Sequence, residues 1–180
     1  MKRLVLVLLV GLGLVLPTFS EWRFDIELDV PRGIGIVSGN KVSFPEGDQE
    51  VVDFFNTYPM VIPGLSVSYA FPITESFRVG IGARAFSFII ISFGWLNSYA
   101  ELDFWNLTLL GQLGGGAYFL ILGPQSNFGT GRTLFPDISL WYRFGKTFRL
   151  GVGAIGVLFP DADQLGFAYY LGARWVIPLK

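Results

Sequence analysis

Along most of this chain every second residue is apolar. Leu65, Val67, Tyr69 and Phe71 alternate with Ser66, Ser68 and Ala70, and Phe77, Val79, Ile81 and Ala83 alternate with Arg78, Gly80 and Gly82. The pair returns downstream as Ile138, Leu140, Tyr142 and Phe144, a turn, then Phe148, Leu150, Val152 and Ala154. A period of two is that of an extended strand, whose successive side chains point to opposite faces. One face is apolar; the other carries Ser, Gly and Arg. In a barrel dissolved in water the apolar face fills the interior. Arg on the opposite face, beside Gly that leaves room for it, predicts the reverse arrangement, with apolar side chains outside.

Eight strands follow from this pattern. The first is Trp22–Val30, ended by Pro31, Arg32 and Gly33; the polar, acidic stretch Gly39–Asp53 reads as the longest loop. Strands are expected next over Met60–Phe71 and Phe77–Ile91, joined by a turn at Pro72–Ser76. A connection at Gly94–Ser98 leads to Tyr99–Phe104, and a turn at Trp105–Asn106 to Leu107–Leu122. The Gly/Pro/Asn/Ser segment Gly123–Arg132 reads as a loop. Phe135–Phe144, Phe148–Phe159 and Phe167–Ile177 complete the set. About nine to eleven tilted residues cross a bilayer, and tight turns alternating with longer loops suit the smallest membrane barrels. The fold class is therefore all-β: an eight-stranded antiparallel up-and-down transmembrane β-barrel.

Composition points the same way. Hydrophobic residues make up 52% of the 180 residues, and the mean hydropathy is +0.52. That is high for a water-soluble domain without long apolar helices, and ordinary for one whose outer face lipid solvates. Residues 1–20 have the three parts of a secretory signal: Lys2 and Arg3, the apolar run Leu4–Leu16, and Thr18-Phe19-Ser20 before Glu21. The expected domains are thus a signal peptide, 1–20, and a barrel, 21–180, exported through the periplasm to the outer membrane of a diderm bacterium. Membrane lipid and the outer-membrane assembly machinery are the expected partners. A formal net charge of −1 gives no footing for nucleic acid. Oligomeric state is not legible.

With alternate residues turned inward, the lumen receives Arg23, Asp25, Glu27 and Asp29 from the first strand, Arg78 and Arg84 from the third, and Glu101 and Asp103 from the fourth. Asp137 and Arg143 come from the sixth, Arg149 from the seventh and Arg174 from the eighth. Six bases, all Arg, face six acids. An unpaired charge in a narrow lumen is costly, so a salt-bridged plug is expected. A small gated pore, opened by rearranging the pairs, is the alternative. The outer half of the same face differs: Ile62, Phe86, Phe88, Ile90, Tyr118, Leu120, Ile155, Val157, Phe159 and Tyr170 would point inward. That lining suits a cup for a small apolar ligand, or else a dry cap over the plug or a bulge that exchanges the faces. Trp22, Phe24, Tyr69, Phe71, Phe77, Phe104, Tyr142, Phe144, Phe148 and Trp175 gather at the turn end, where an aromatic girdle belongs.

These features resemble the small eight-stranded outer-membrane barrels: the transmembrane domain of outer membrane protein A, and the outer membrane protein X and W groups. The resemblance is architectural and covers 21–180. Its most specific element is the last strand, where Tyr170, Gly172, Trp175 and Ile177 match the spacing of that family's assembly signal. The chain departs from the pattern in ending Pro178-Leu179-Lys180 where the family has a terminal Phe.

The sequence has no His and no Cys, which excludes His- or Cys-based nucleophilic systems and His or thiolate metal sites. The acidic pairs on the first and fourth strands, kept ionised by Arg, read as structural. The spacing of loop residues Glu46, Asp48, Glu50 and Asp53 matches no calcium loop. Gly114-Gly115-Gly116 lacks the Lys and the helix that phosphate binding needs, and reads as strand packing. No cofactor is expected. The leading expectation is a non-enzymatic outer-membrane barrel with a plugged lumen, serving envelope structure. The alternatives are binding or transport of a small apolar molecule, a gated pore, or a secreted lipocalin-like barrel with the six Arg outside.

Overall fold

The computed structural model describes residues 20–39, 41–43, 53, 57, 60–88, 91–122, 125–158 and 164–179. The expected signal peptide, apart from Ser20, lies outside them. So do Glu46, Asp48, Glu50, Ile90 and Phe159, together with the side chain of Phe88. Among the described residues nine strands are formed: β1 (Glu21–Ser38), β2 (Lys41–Ser43), β3 (Ile62–Pro72), β4 (Phe77–Phe88), β5 (Ile91–Phe104), β6 (Leu107–Leu122), β7 (Gln125–Phe144), β8 (Phe148–Leu158) and β9 (Gln164–Leu179). Eight of them make an antiparallel ring, each paired with its neighbour in sequence, and β1 closes it against β9 from Trp22↔Leu179 to Ser38↔Gln164. The short β2 folds back on the far end of β1, outside the ring.

One end of the ring carries Ser20 and Leu179, the first and last described residues, and three tight connections, at 73–76, 105–106 and 145–147. Gly145 supplies the positive φ (78°) that the last of these requires, and Trp105 takes φ 51° in the second. Arg143 Nη2 donates to the Trp105 carbonyl and holds that turn against β7. This is the turn end; the other is the loop end.

The exterior is what identifies the solvent. Between the turn end and the level of Arg32, the outward positions of the eight ring strands contain no Asp, Glu, Lys or Arg. They include Ile81, Leu96, Ile138 and Val152, each more than half exposed. Among them, Ser98 donates to the Leu113 carbonyl at 3.1 Å. Charged side chains are meanwhile among the most deeply buried: Arg23, Arg84, Arg174, Glu27 and Glu101 are 2% exposed or less. Greasy outside and charged inside is the arrangement of a transmembrane barrel, closed so that no strand edge meets lipid. It removes the lipocalin-like alternative, which needed the six Arg on the outside.

Two expected connections are strand instead, and β1 runs on to Ser38 through Pro31–Gly33, where the first strand was expected to end. Gly94–Ser98 lies within β5, because each turn-like residue there has a packing or pairing role. Gly94 lies under the Phe119 ring, Asn97 Nδ2 donates to Gln112 Oε1 at 2.8 Å, and Ser98 is bonded as above. The β4–β5 connection lies at 89–90, outside the described residues. The stretch expected as a loop at 123–132 contributes the first part of β7, paired with Gly116–Leu122 of β6. At 20 residues, β7 is about twice the length needed to span a bilayer, so its outer half runs on beyond it. There both faces meet water, and the apolar alternation that marks a lipid-facing strand is absent.

Candidate functional site

In the turn half of the lumen, eleven of the twelve inward charged residues meet in ten ion pairs. Glu101 is a hub: its Oε2 lies 2.6 Å from Arg23 Nη1, and its Oε1 lies 2.9 Å from Arg149 Nη1 and 3.4 Å from Arg78 Nη1. Arg23 also bonds Asp25 through Nε at 2.8 Å, and Arg174 Nη2 reaches the same carboxylate at 2.5 Å. Glu27 takes Arg84 Nη2 at 2.6 Å and Arg174 Nε at 3.3 Å, while Arg84 Nη1 goes across to Asp137. Nearest the turn end, Asp103 bonds Arg78 at 2.7 Å, Arg143 at 3.0 Å and Thr108 Oγ1 at 2.6 Å. Three links, Arg23–Glu101, Arg149–Glu101 and Arg84–Asp137, join strands three places apart round the ring. The lattice therefore crosses the lumen and does not merely line the wall. Planar guanidinium groups suit it, since each can serve two carboxylates.

Aromatic rings fill the gaps, and sequence reasoning missed their role. Trp141 is fully buried, with Nε1 donating to Ser139 Oγ at 2.9 Å. Arg174 lies 5.8 Å from the Trp141 ring centroid, and Arg23 lies 5.4 Å from that of Tyr99. Four of the inward glycines expected to make room for Arg seat these rings instead: Gly80 faces Tyr99, Gly151 faces Trp141, Gly172 faces Trp141 and the Asp29 carboxyl, and Gly153 faces Tyr170. The signal was present, because Trp141 has the same parity as Asp137 and Arg143.

Asp29 stands apart from the lattice. It was expected in the network, but it makes no ion pair among the described residues, and its buried Oδ1 has no hydrogen-bond partner. Its position along the strand explains this. Asp29 is opposite Ile62 on β3 and Gly172 on β9, one step above the last guanidinium layer.

Above Asp29 is a cavity of about 590 Å³. Its wall contains Ile62, Phe86, Ile155, Val157 and Tyr170, all anticipated from alternation. Ile34, Ile36, Phe93, Trp95, Phe135 and Phe167 also line it and were not. The β1 members arise from a bulge. Pro31 pairs with Tyr170 but Gly33 with Tyr169, so Arg32 is the extra residue and the inward parity passes from odd to even. Asp29 is thus the last inward residue of the acidic series before the bulge brings Ile34 and Ile36 to the lumen. Tyr118 and Leu120, expected in the lining, are not part of it. Tyr118 turns its ring over Gly129, with Phe93 6.0 Å away, and Leu120 pairs with Asn127 in the hairpin beyond the barrel. Ile90, Phe159 and the side chain of Phe88 lie outside the described residues.

One wall of the cavity is an aromatic stack: Trp95 and Phe135 lie 4.5 Å apart at 22°, flanked by Phe93 and Phe86. Trp95 occupies the space that Gly114 leaves open, and a Cβ there would overlap the indole. Gly115 and Gly116, both at positive φ, carry the register shift between β6 and β7. Gly114→Val is therefore expected to destabilise the barrel by about 1–3 kcal/mol through overpacking. A red-shifted Trp emission and a lowered urea midpoint would report the displaced indole; an unchanged spectrum would mean that Trp95 is not seated there.

The girdle aromatics meet in runs at the turn end. Trp22, Tyr69 and Phe71 form one, with centroids 5.1 and 5.0 Å apart. Tyr142, Phe144, Phe148 and Trp175 form another at 4.8, 5.8 and 5.0 Å. Phe104 is extended by Trp105, which is 90% exposed. Phe24 and Phe77 are outward and half-buried at the same end.

No family model and no curated protein matches this chain. Solved structures do. Neisserial surface protein A is 11% identical, with 87% of this chain and 97% of that chain covered, at a TM-score of 0.48. Ail, the attachment invasion locus protein of Yersinia pestis, is 14% identical over 88% and 99%, at 0.41. The N-terminal β-barrel domain of Pseudomonas aeruginosa OprF is 9% identical over 85% and 97%, at 0.42. At these identities the likeness is one of fold.

Proposed function

We propose that this chain is a non-enzymatic integral barrel of the outer membrane whose lumen is closed to ions and which serves envelope structure. The observation that carries the reading is the ion-pair lattice. Eleven charged side chains are locked in ten pairs, five of which join non-adjacent strands and three of which reach strands three places apart round the ring. Trp141, Tyr99 and Leu110 pack the remaining space beside them. An ion passing through would have to break several buried pairs at once, each costing about 3–5 kcal/mol to leave half-made. Refolded 21–180 in a planar bilayer is therefore expected to show no unitary conductance, while a heat-dependent gel shift verifies that the barrel has formed. Steady openings from a folded barrel would overturn the closed lumen and favour the gated pore.

A second reading is favoured by the cavity above the lattice. Its volume of about 590 Å³ falls within the roughly 300–1,000 Å³ of small-molecule sites. Its wall is almost wholly apolar and aromatic. In this reading the loop half of the barrel is a cup that binds a small apolar molecule, and the lattice is its floor.

A further inference from the structure

The cup reading accounts for the walls but not for the carboxylate at its base. Asp29 lines the cavity and is 5% exposed, and its Oδ1 has no hydrogen-bond partner. In the nearest guanidinium layer Arg84 is bonded to Glu27 and Asp137, and Arg174 to Asp25 and Glu27; Arg174 Nη1 has no hydrogen-bond partner, and neither Arg pairs with Asp29. A buried carboxyl without a partner is costly in either protonation state, and a ligand able to satisfy it gains what the protein leaves unmade. Resting on the cup reading, we propose that the cavity takes an amphiphile with an apolar body and a primary amine head, the head bonding Asp29.

Charge placement supports a basic head over an acidic one. With Asp29 set aside, six Arg face five carboxylates. Arg78 and Arg143, 24% and 27% exposed, lie at the turn-end mouth where water meets the excess positive charge. The Asp29 end is walled instead by the apolar side chains of Ile62, Phe86, Ile155 and Trp95. A carboxylate head there would face Asp29, Glu27 and Asp137, while the nearby Arg84 and Arg174 already serve lattice carboxylates; a neutral alcohol would make a weaker bond. An amine satisfies Asp29 in either state, as ammonium on carboxylate or as amine accepting from the acid.

The test uses dodecylamine, dodecanol and laurate, three probes with the same chain and different heads. Each is titrated calorimetrically into the barrel in nanodiscs, with empty nanodiscs subtracted. The amine is expected to bind at least about tenfold tighter than the alcohol, the worth of one charge-assisted hydrogen bond, with laurate weakest. Asp29→Asn, its fold checked by gel shift, is expected to bring amine and alcohol together while alcohol binding persists. Ile155→Trp, which fills the cavity, is expected to abolish binding of all three. Equal affinities in the native barrel, a preference for laurate, or an amine advantage that survives Asp29→Asn would overturn the amine inference and leave the cup standing. Binding of none above empty nanodiscs, or undiminished binding to Ile155→Trp, would overturn the cup and the inference with it.

Discussion

Glu101→Gln is expected to lower the stability of the barrel by about 3–5 kcal/mol, the usual cost of removing one member of a buried ion-pair network. The substitution keeps the shape of the side chain, so no cavity is made and the loss is electrostatic. Glu101 is fully buried and has Arg23, Arg149 and Arg78 on its two oxygens. A neutral amide leaves Arg149 with no other ion-pair partner among the described residues. Arg23 keeps Asp25 and Arg78 keeps Asp103, so the defect centres on one guanidinium. The measurement is urea unfolding in lipid vesicles followed by Trp emission. Adding Arg149→Gln restores the balance of charge, and the double variant is expected to be more stable than the sum of the two single losses implies. Additive losses would mean that the two groups do not interact, and a neutral Glu101→Gln would remove the lattice as the element that closes the lumen.

How much of this was legible beforehand follows from what alternation encodes. Parity assigns a face, and it did so for every charged residue of the lattice, because β1, β4, β5, β7, β8 and β9 run without a bulge over the lattice residues they carry. It carries no information on height along the barrel axis. Six Arg and six acids on one face therefore suggested complete pairing, whereas Asp29 sits a step above the guanidinium groups and misses them. Bulges defeat parity outright. The extra residue at Arg32 brings Ile34 and Ile36 to the lumen, which no count from Trp22 would predict. Composition misled where small polar residues serve pairing and packing instead of turning. Asn97 bonds Gln112 inside the barrel, and Gly94 makes space for Phe119. Gln125, Ser126 and Asn127 pair with β6 above the lipid, where nothing selects for an apolar face.

Val152→Arg is expected to cost roughly 2–4 kcal/mol, the penalty for a cation on the lipid face near the bilayer midplane. Val152 points outward, 51% exposed, between Leu140 and Leu171, which are themselves exposed. It lies four residues beyond Phe148 of the girdle, about 9 Å along the membrane normal for a strand rising roughly 3.3 Å per residue at 45°, near the centre of an apolar band about 25 Å tall. Two companion variants separate lipid from mere crowding. Leu150→Arg is one outward step nearer the turn end, paired with Tyr142 and Ala173, and its side chain can extend towards the interface. Its loss should be clearly smaller. Phe128→Arg is expected to be nearly neutral although Phe128 is 77% exposed. It sits sixteen residues along β7 from Phe144, roughly 37 Å on the same geometry, and so beyond the band. A graded series, with Val152 worst and Phe128 indifferent, is what a lipid slab imposes on a barrel of this register. Equal tolerance at all three sites would mean that the apolar exterior faces something other than a membrane. The closed lumen, the cup and the role of Asp29 would then each need another explanation, because all three depend on which side of this wall is wet.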